Sequence, residues 1–344
     1  MEFDITPEKR KIQLTGGSTF IVSLPIKWVR EIGLSAGDTV TLSPQPDRTL
    51  LISSEPKVEE QLYKATIELF QGDDPEDNFR CLIAHYLVGY DVIKLVSRKG
   101  FSASDRKFIK DAARQRLIGL EVIEESRNEL ILQSLLNYRD LSLDKAMQSM
   151  SRLVASMLED VMRALRDHDL ELANDVIQRD NEVDRFYLLT VRQLKAAIED
   201  PQLSEKIGIK RPRECLGYRL ATKSMERIGD HAERIAQNII KLDHGIDEGD
   251  LIFKMGVHVR NVFTDAVRSL AENDAKHANR VIANAKKAVN AGVSLAKNNR
   301  KNTDPYISGT EMRSIIESLQ RISEYSTDIA EVSINMGVKE LREI

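Results

Sequence analysis

The sequence predicts a multidomain protein with a small β-rich head, an α+β middle module and an all-α C-terminal half. Three observations lead to this fold class. Strand-like segments with turn signals occupy the first 55 residues, helix and strand signals alternate over 56–137, and strand signals stop after Leu141. We therefore expect domains at 1–55, 56–137 and 138–344, and a chain of 344 residues is long enough for each to have its own core.

In the head, four short segments rich in β-branched residues are separated by turns. They are KIQL, TFIVSL, TVTL and TLLI, with the turn-rich SPQPDR before the last. Between the second and third, PIKWVREIGL has the pattern of a short helix that starts at Pro25 and stops at Gly33. So few strands cannot easily enclose a core in one copy, and we expect a homodimer.

The middle module is predicted to mix helices and strands. KVEEQLYKATIELF and PEDNFRCLIAHYLVG have helical patterns, YDVIKLVS is strand-like, and SASDRKFIKDAARQRLIG is a helix opened by Ser102 and Asp105. LEVIEE and ELILQSL then form a hairpin. The pattern is typical of a small α+β domain.

Long segments with helical spacing fill the C-terminal half. The six predicted helices are 141–167, 169–199, 213–242, 249–272, 274–299 and 309–338. They repeat, since LANDVIQRDNEVDRFYLL aligns with HANRVIANAKKAVNAGVSL, and SMERIGDHAERIAQN with SLQRISEYSTDIAEV. The period predicts two three-helix units packed side by side, at about 141–242 and 249–338.

Composition points to no general partner. The formal net charge is −4 with 30% charged residues, so no overall field attracts nucleic acid or a membrane. Cys81 and Cys215 lack the spacing of a disulfide framework or a thiolate zinc site. The most apolar stretch, LIAHYLVGYDVIKLV, is interrupted by His85, Asp91 and Lys94. We expect a cytoplasmic protein with no export signal and no membrane span.

Two helices carry acidic residues at i, i+4 spacing. Asp180 and Asp184 fall within the apolar arc of one helix, where an unpaired carboxylate is costly. Glu226, Asp230 and Glu233 form an edge opposite the aliphatic side of the next helix, and we expect them to be exposed. If the helices are neighbours, the two acid pairs can converge into an all-oxygen site suited to Mg²⁺, Mn²⁺, Fe or Zn²⁺.

A simpler interpretation of the acids stays open. Lys223, Arg227 and Arg234 lie three, one and four residues from them, so the edge can be a salt-bridged, solvated helix face. His231 projects away from the acids and is expected at the surface. The sequence contains no Ser/His/Asp or Cys/His arrangement and no glycine-rich phosphate loop, so it gives little support to an enzyme.

The helical half resembles the PhoU family of phosphate-uptake regulators. The resemblance rests on QRDNEVDRFYLL and MERIGDHAERIAQNI, which look like that family's E/D-xxx-D signatures on the second and third helices of each repeat. It implies that Asp180, Asp184, Glu226 and Asp230 bind a cluster of divalent or trivalent metal ions, whether Fe, Zn, Mn or Mg. It also implies a phosphate ABC transporter's ATPase or a sensor protein as partner.

The second repeat departs from this pattern. Its counterparts of the four acids are Ala285, Val289, Gln320 and Glu324. Only the last is a carboxylate, so we expect one cluster rather than two. The acid edge of Glu324, Asp328 and Glu331 is then expected to be solvated.

The stretch RKIQLTGGSTFIVSLPIKWVREIGLSAGDTVTL resembles the SpoVT/AbrB family of swapped-hairpin β-barrels, which are dimeric DNA-binding modules. It implies such a barrel as the head, with DNA contacts from basic residues on the dimer face. The candidates are Lys9, Arg10, Lys11, Lys27 and Arg30. Acids in the same segment balance their charge, so the barrel can instead serve for dimerisation alone. An AbrB-like head on a PhoU-like body resembles an archaeal arrangement.

The sequence therefore favours a non-enzymatic regulator of phosphate uptake, a cytosolic homodimer that binds metal and acts on a transport system or sensor. Two alternatives stay open. Carboxylate-bridged metal sites in helix bundles can be enzymes, although those sites normally use Glu-x-x-His pairs and none of these acids has a histidine three residues on. A metal-free structural adaptor or transcription regulator would keep the fold without the metal.

Overall fold

The computed structural model describes residues 6–44, 48–54, 62–69, 74–136, 141–199, 201–246, 251–299 and 309–338. The chain divides into two compact units, Met1–Gln61 and Leu62–Ile344. The second unit contains both the middle module and the helical half. The division into three domains at 55/56 and 137/138 stays a prediction.

The head consists of two hairpins and one short helix. β1 (Gln13–Thr15) pairs with β2 (Thr19–Ile21), and β3 (Val40–Pro44) pairs with β4 (Leu50–Ser54), both antiparallel. Helix α1 (Ile26–Glu31) lies between the hairpins in sequence, as predicted. Part of the SPQPDR turn, 45–47, lies outside the described residues. None of the described head residues is buried, and Phe20 is 72% exposed, so this unit has no core of its own in one copy.

The middle module is a four-stranded sheet that packs against two helices. In chain order the elements are β5 (Lys64–Leu69), α2 (Pro75–Val88), β6 (Val92–Ser97), α3 (Ala103–Arg116), β7 (Leu120–Glu125) and β8 (Glu129–Ser134). The strand order in the sheet is β5-β6-β8-β7. Alternate strand residues, including Ile93, Leu95, Leu130 and Leu132, form one core with the helices. The predicted hairpin and the predicted capping box of Ser102 and Asp105 at the start of α3 are confirmed.

One predicted helix is in fact a strand. The sequence pattern favours a helix over 57–70, but β5 covers Lys64–Leu69, and 57–61 and 70 lie outside the described residues. The prediction is wrong because parallel pairing with β6, twenty-eight positions away in register, decides the conformation. That pairing buries Ile67 and Leu69 in the module core, a benefit that no local pattern records.

The helical half contains the six predicted helices. They are α4 (Leu143–Asp167), α5 (Leu170–Glu199), α7 (Glu214–Ile239), α8 (Leu251–Glu272), α9 (Ala275–Asn299) and α10 (Thr310–Gly337). A short helix that the sequence did not predict, α6 (Pro201–Lys206), lies in the break after α5. The units α4-α5-α7 and α8-α9-α10 pack side by side through α7 and α10 and through α4 and α8, around a shared apolar core. No described helix is both long enough and apolar enough to cross a bilayer.

A buried arginine joins the middle module to the bundle. Arg192 on α5 is 1% exposed, and its Nη1 donates to the carbonyl oxygens of Tyr86 (2.5 Å) and Tyr90 (3.0 Å). Its Nη2 donates to the carbonyl of Gly89 (3.2 Å) and to Asp91 Oδ1 (3.3 Å). These acceptors lie at the C-terminal end of α2, where carbonyl groups lack helical partners and carry partial negative charge. Arg192 therefore supplies hydrogen bonds to the carbonyl groups at the end of α2 and fixes the module on α5.

Candidate metal centre

Helices α5 and α7 bring three of the predicted ligands together. α5 supplies Asp184, and α7 supplies Glu226 and Asp230. One carboxylate oxygen from each lies within 4.8 Å of the other two. Oxygens that bind one hard cation at about 2.0–2.5 Å are at most about 5 Å apart, so this spacing suits a single shared cation.

Asp180, the fourth predicted ligand, lies one turn before Asp184 and approaches α7 at Gly229. A Cβ atom at position 229 would lie 3.1 Å from Asp180 Oδ1 and 3.1 Å from Val183 Cγ1. Real Cβ contacts are rarely so short, so the glycine is what lets α5 approach α7 here. Asp180 is outside the group of three but belongs to the same charge cluster.

Glu226 is more buried than the sequence indicated. We expected the acid edge of α7 to be exposed, and for Glu226 this is wrong, since the residue is only 8% exposed. The reason is that α7 packs against α4, α5 and α10, so more than one side of it is covered. Asp184 is half-buried and Asp230 is exposed, so the three carboxylates lead from the interior to solvent. Glu233 accepts a hydrogen bond from Gln237 Nε2 (2.9 Å) and is not one of the three.

Burial and neighbouring charges raise the pKa of Asp180, Asp184 and Asp230. Burial raises the pKa of Asp180 to about 8, and the nearby charges of Asp230 and then Asp184 add to this effect. Partial burial of its carboxyl group, followed by the charge of Glu226, raises the pKa of Asp230 to about 6. The pKa of Asp184 is raised by the same two causes and lowered by Lys223 and by Arg116 of α3. The cluster therefore favours a bound positive charge, either a proton or a metal ion.

The basic residues of α7 neutralise only part of the negative charge on its acidic edge. Lys223 forms an ion pair with Glu226 Oε1, as the salt-bridge interpretation requires. Arg227, by contrast, places its guanidinium 5.4 Å from the ring centroid of Tyr325. His231 is half-buried rather than at the surface, with its ring 5.8 Å from that of Tyr325. Burial, followed by the charge of Arg234, lowers the pKa of His231.

Two buried oxygens test whether a metal ion would fit. Among the described residues, no donor lies within hydrogen-bonding distance of Asp180 Oδ1 or Glu226 Oε2, although both atoms are buried. Buried carboxylate oxygens without donors are rare because the lost hydration is not replaced. Coordination to a cation would satisfy such atoms, and an all-oxygen donor set suits Mg²⁺ or Mn²⁺ and admits Fe or Zn²⁺. The residues present therefore fit a metal ion.

The second repeat does not reproduce this arrangement. Ala285 and Val289 offer no ligand, and Gln320 Nε2 donates to the carbonyl oxygen of Val289 (3.3 Å). Glu324 pairs with Arg321 at 2.7 Å. In this repeat a side-chain amide thus bridges the two helices at the level where the first repeat has its carboxylates.

A group that sequence reasoning missed lies between α8 and α9. Glu272, Asp274 and His277 place one potential ligand atom each within 4.8 Å of the others. Asp274 Oδ1 already accepts hydrogen bonds from the backbone amides of Lys276 (2.9 Å) and His277 (3.0 Å) at the start of α9. His277 Nε2 lies 3.7 Å from Asp265 Oδ1. This group is therefore explained by helix capping and an ion pair.

The candidate DNA-binding residues lie on the separate head unit. All five are exposed: Lys9, Arg10, Lys11, Lys27 and Arg30. Arg10 pairs with Glu8. Their exposure is compatible with a contact to phosphates, and DNA binding itself stays a prediction.

Comparison with known families agrees with both resemblances. The PhoU domain model matches residues 147–239 and 252–333, one match for each three-helix unit. The model described as antidote-toxin recognition MazE, bacterial antitoxin, matches residues 13–61. The head is thus MazE/AbrB-like and the helical half is PhoU-like.

Individual relatives are described as transport accessory proteins. The phosphate-specific transport system accessory protein PhoU homolog of Pseudomonas putida is 26% identical over 193 residues, which cover 55% of this chain and 69% of that protein. The homolog of Pseudomonas aeruginosa is 27% identical over 161 residues, 46% of this chain and 63% of its own length. The crystal structure of the phosphate transport system regulatory protein PhoU from Streptococcus pneumoniae superimposes with a TM-score of 0.50 and 21% identity. It covers 60% of this chain and all of that protein, and shows a common fold.

Proposed function

Because this chain belongs to the PhoU family, we propose that it is a metal-binding regulator of phosphate uptake rather than an enzyme. Its relatives are named as accessory proteins of phosphate-specific transport systems. The partner would then be the ATPase of a phosphate ABC transporter or a sensor protein, and the place of action would be the cytoplasm.

The observation that carries this proposal is the group of Asp184, Glu226 and Asp230 with its unsatisfied buried oxygen. Three carboxylates from two helices share a space that suits one cation. Glu226 Oε2 is buried, with no hydrogen-bond donor in the described part of the chain. Repulsion within such a cluster destabilises the metal-free protein, and a bound metal ion would supply the missing positive charge.

Metal occupancy would change how firmly two helices are held together. Asp184 belongs to α5, whereas Glu226 and Asp230 belong to α7, so the ligand set spans the contact between these helices. Any partner that binds better when α5 and α7 are held together would respond to occupancy, and by linkage would tighten metal binding to the same extent. This is the regulatory step we propose.

The head would serve as the dimerisation device. Its described residues form no buried core, and Ile12, Leu14, Phe20, Ile26 and Leu42 are each more than half exposed. A swapped barrel with a second copy would cover these side chains. DNA contact through the five exposed basic residues would be an added function, recognisable by a strong loss of affinity with rising salt.

Elemental analysis of protein purified without chelator tests the metal centre. The variant Asp184→Asn, Glu226→Gln, Asp230→Asn keeps side-chain volume and removes the negative charges. We expect stoichiometric metal in the wild-type protein and none in this variant. Asp328→Asn with Glu331→Gln, the same changes on the acid edge of α10, is the matched control and should retain the metal.

The two competing functions predict different results. A carboxylate-bridged metalloenzyme would turn over oxygen or a hydrolysable substrate when loaded, but none of the ligands has a histidine three residues on. A structural adaptor would contain no metal in any of these proteins, even after reconstitution, and would tolerate Glu226→Lys. That outcome would refute the metal-dependent part of the proposal.

A further inference from the structure

Lys223 brings a positive charge into the acidic cluster. Its ammonium pairs with Glu226 Oε1, and the two side chains are 34% and 10% exposed. The same ammonium lies 4.9 Å from the ring centroid of Tyr187, a residue three positions after Asp184 on α5. Lys223 thus holds one oxygen of a carboxylate whose other oxygen, Oε2, has no donor among the described residues.

The charges of this arrangement favour exchange. In the metal-free protein, the ammonium offsets part of the repulsion among Asp184, Glu226 and Asp230. A divalent ion held by these three carboxylates would lie within several ångströms of the ammonium on Glu226. Repulsion between a divalent and a monovalent cation at about 5 Å is worth about tenfold in a binding constant even with the screening of water.

We propose that Lys223 is a tethered competitor of the metal ion, which holds Glu226 when the metal is absent and is displaced from it when the metal binds. This inference rests on the proposed metal centre and adds a residue that sets its affinity. Lys223 is not a ligand. It determines how much free metal is needed to fill the centre.

The ring of Tyr187 makes the displacement reversible. A cation within about 6 Å of an aromatic ring centroid is attracted to the negative face of the ring. Lys223 already lies within this range of the ring, so it can give up Glu226 without leaving the site or losing every favourable contact. Arg219 is also 4.9 Å from the same ring and shares this role of holding positive charge beside α5.

Titration of the full-length chain with Mn²⁺ tests the inference. The variant Lys223→Met removes the charge and keeps an unbranched side chain. We expect it to bind Mn²⁺ about tenfold more tightly than the wild type by calorimetry or by the electron paramagnetic resonance signal of free Mn²⁺. Arg227→Met is the matched control, because Arg227 lies one turn further along α7 but over Tyr325. It should bind Mn²⁺ within about twofold of the wild type.

Thermal unfolding separates competition from a purely structural role. Without metal, Lys223→Met should melt at a lower temperature than the wild type, because the carboxylates lose their counter-charge. With saturating Mn²⁺ the order should reverse, so the metal-induced rise in Tm should be larger in the variant. If Lys223→Met does not fold, Lys223→Gln replaces it, since its amide can donate to Glu226 without carrying a charge.

Each outcome bears on one of the two proposals. Equal Mn²⁺ affinities of the wild type and both neutral variants, or weaker binding by the variants, would overturn the competitor role and leave the metal centre standing. Absence of binding in the wild type and in Arg227→Met would reject the metal centre, and the inference with it. Restoration of wild-type affinity by Lys223→Arg would be the expected confirmation that charge is the cause.

Discussion

Asp180→Asn should make the metal-free protein more stable at alkaline pH. In the native state, burial and neighbouring carboxylates raise the pKa of Asp180 from its usual 3.8 to about 8. The folded protein therefore binds this proton more tightly than the unfolded chain. Between pH 4 and pH 8 the native state carries more protons, so stability falls as pH rises and the loss is complete above the native pKa.

The expected magnitude follows from that shift. One pKa unit corresponds to about 1.4 kcal/mol, so the complete shift sets an upper bound of about 6 kcal/mol. The carboxyl group is partly exposed, and solvent screening reduces the expectation to about 2 kcal/mol. Asparagine has the same shape and no charge, so the variant should gain this amount at pH 8 and almost none at pH 4.

Urea denaturation in the presence of a chelator measures the effect at pH 5, 6, 7 and 8. The wild type should lose stability across this series relative to Asp180→Asn. Asp175→Asn is the matched control: Asp175 is on the same helix, exposed and paired with Arg179 at 2.8 Å, and its loss should leave the wild-type pH dependence in place. Parallel curves for wild type and Asp180→Asn would refute the reasoning, because they would mean that folding does not perturb Asp180.

Three further outcomes are expected. Gly229→Ala should destabilise the fold by about 1–3 kcal/mol in urea denaturation and weaken Mn²⁺ binding, because the new Cβ meets Asp180. Unchanged Mn²⁺ binding would contradict the inference that the centre depends on the close approach of α5 to α7. Arg192→Met should lower the free energy of unfolding by about 3 kcal/mol and speed hydrogen exchange at the end of α2, where carbonyl groups lose their donor. Unaltered exchange at this position would refute the inference that Arg192 fixes the module on α5. Phe20→Asp should convert a dimer into a monomer in sedimentation, and a wild type that already sediments as a monomer would exclude the swapped barrel.

Most helices could be predicted because residues at or next to their ends mark where they begin. Ser102 and Asp105 form the capping box that begins α3, and Asp74 with Pro75 begins α2. The helical spacing of apolar residues predicted the long helices of the bundle, and the repetition of these helices predicted two units. The strand β5 was missed because its conformation depends on parallel pairing with β6 rather than on its own residues.

The convergence of the acids on α5 and α7 could be predicted from the sequence, whereas their surroundings could not. The i, i+4 spacing of the acids on α5 and α7 identified the residues that converge. A helical wheel assumes one covered face, whereas α7 has three neighbouring helices, and so the burial of Glu226 was missed. Arg192 looked like any charged helix residue, because its acceptors lie about 100 positions earlier in the chain.

The attachment of the middle module has a consequence for how the protein can change. Three of the acceptors of Arg192 named above are main-chain carbonyls, whose chemistry is the same for every residue type. The turn that ends α2 depends on Gly89, whose φ of 111° favours glycine. Arg192 in α5 and Gly89 after α2 therefore carry most of this joint, and other residues of the module can be replaced without losing it. An unrelated α+β domain with a helix that ends in the same turn would offer Arg192 the same carbonyl acceptors and could be attached to this bundle in the same way.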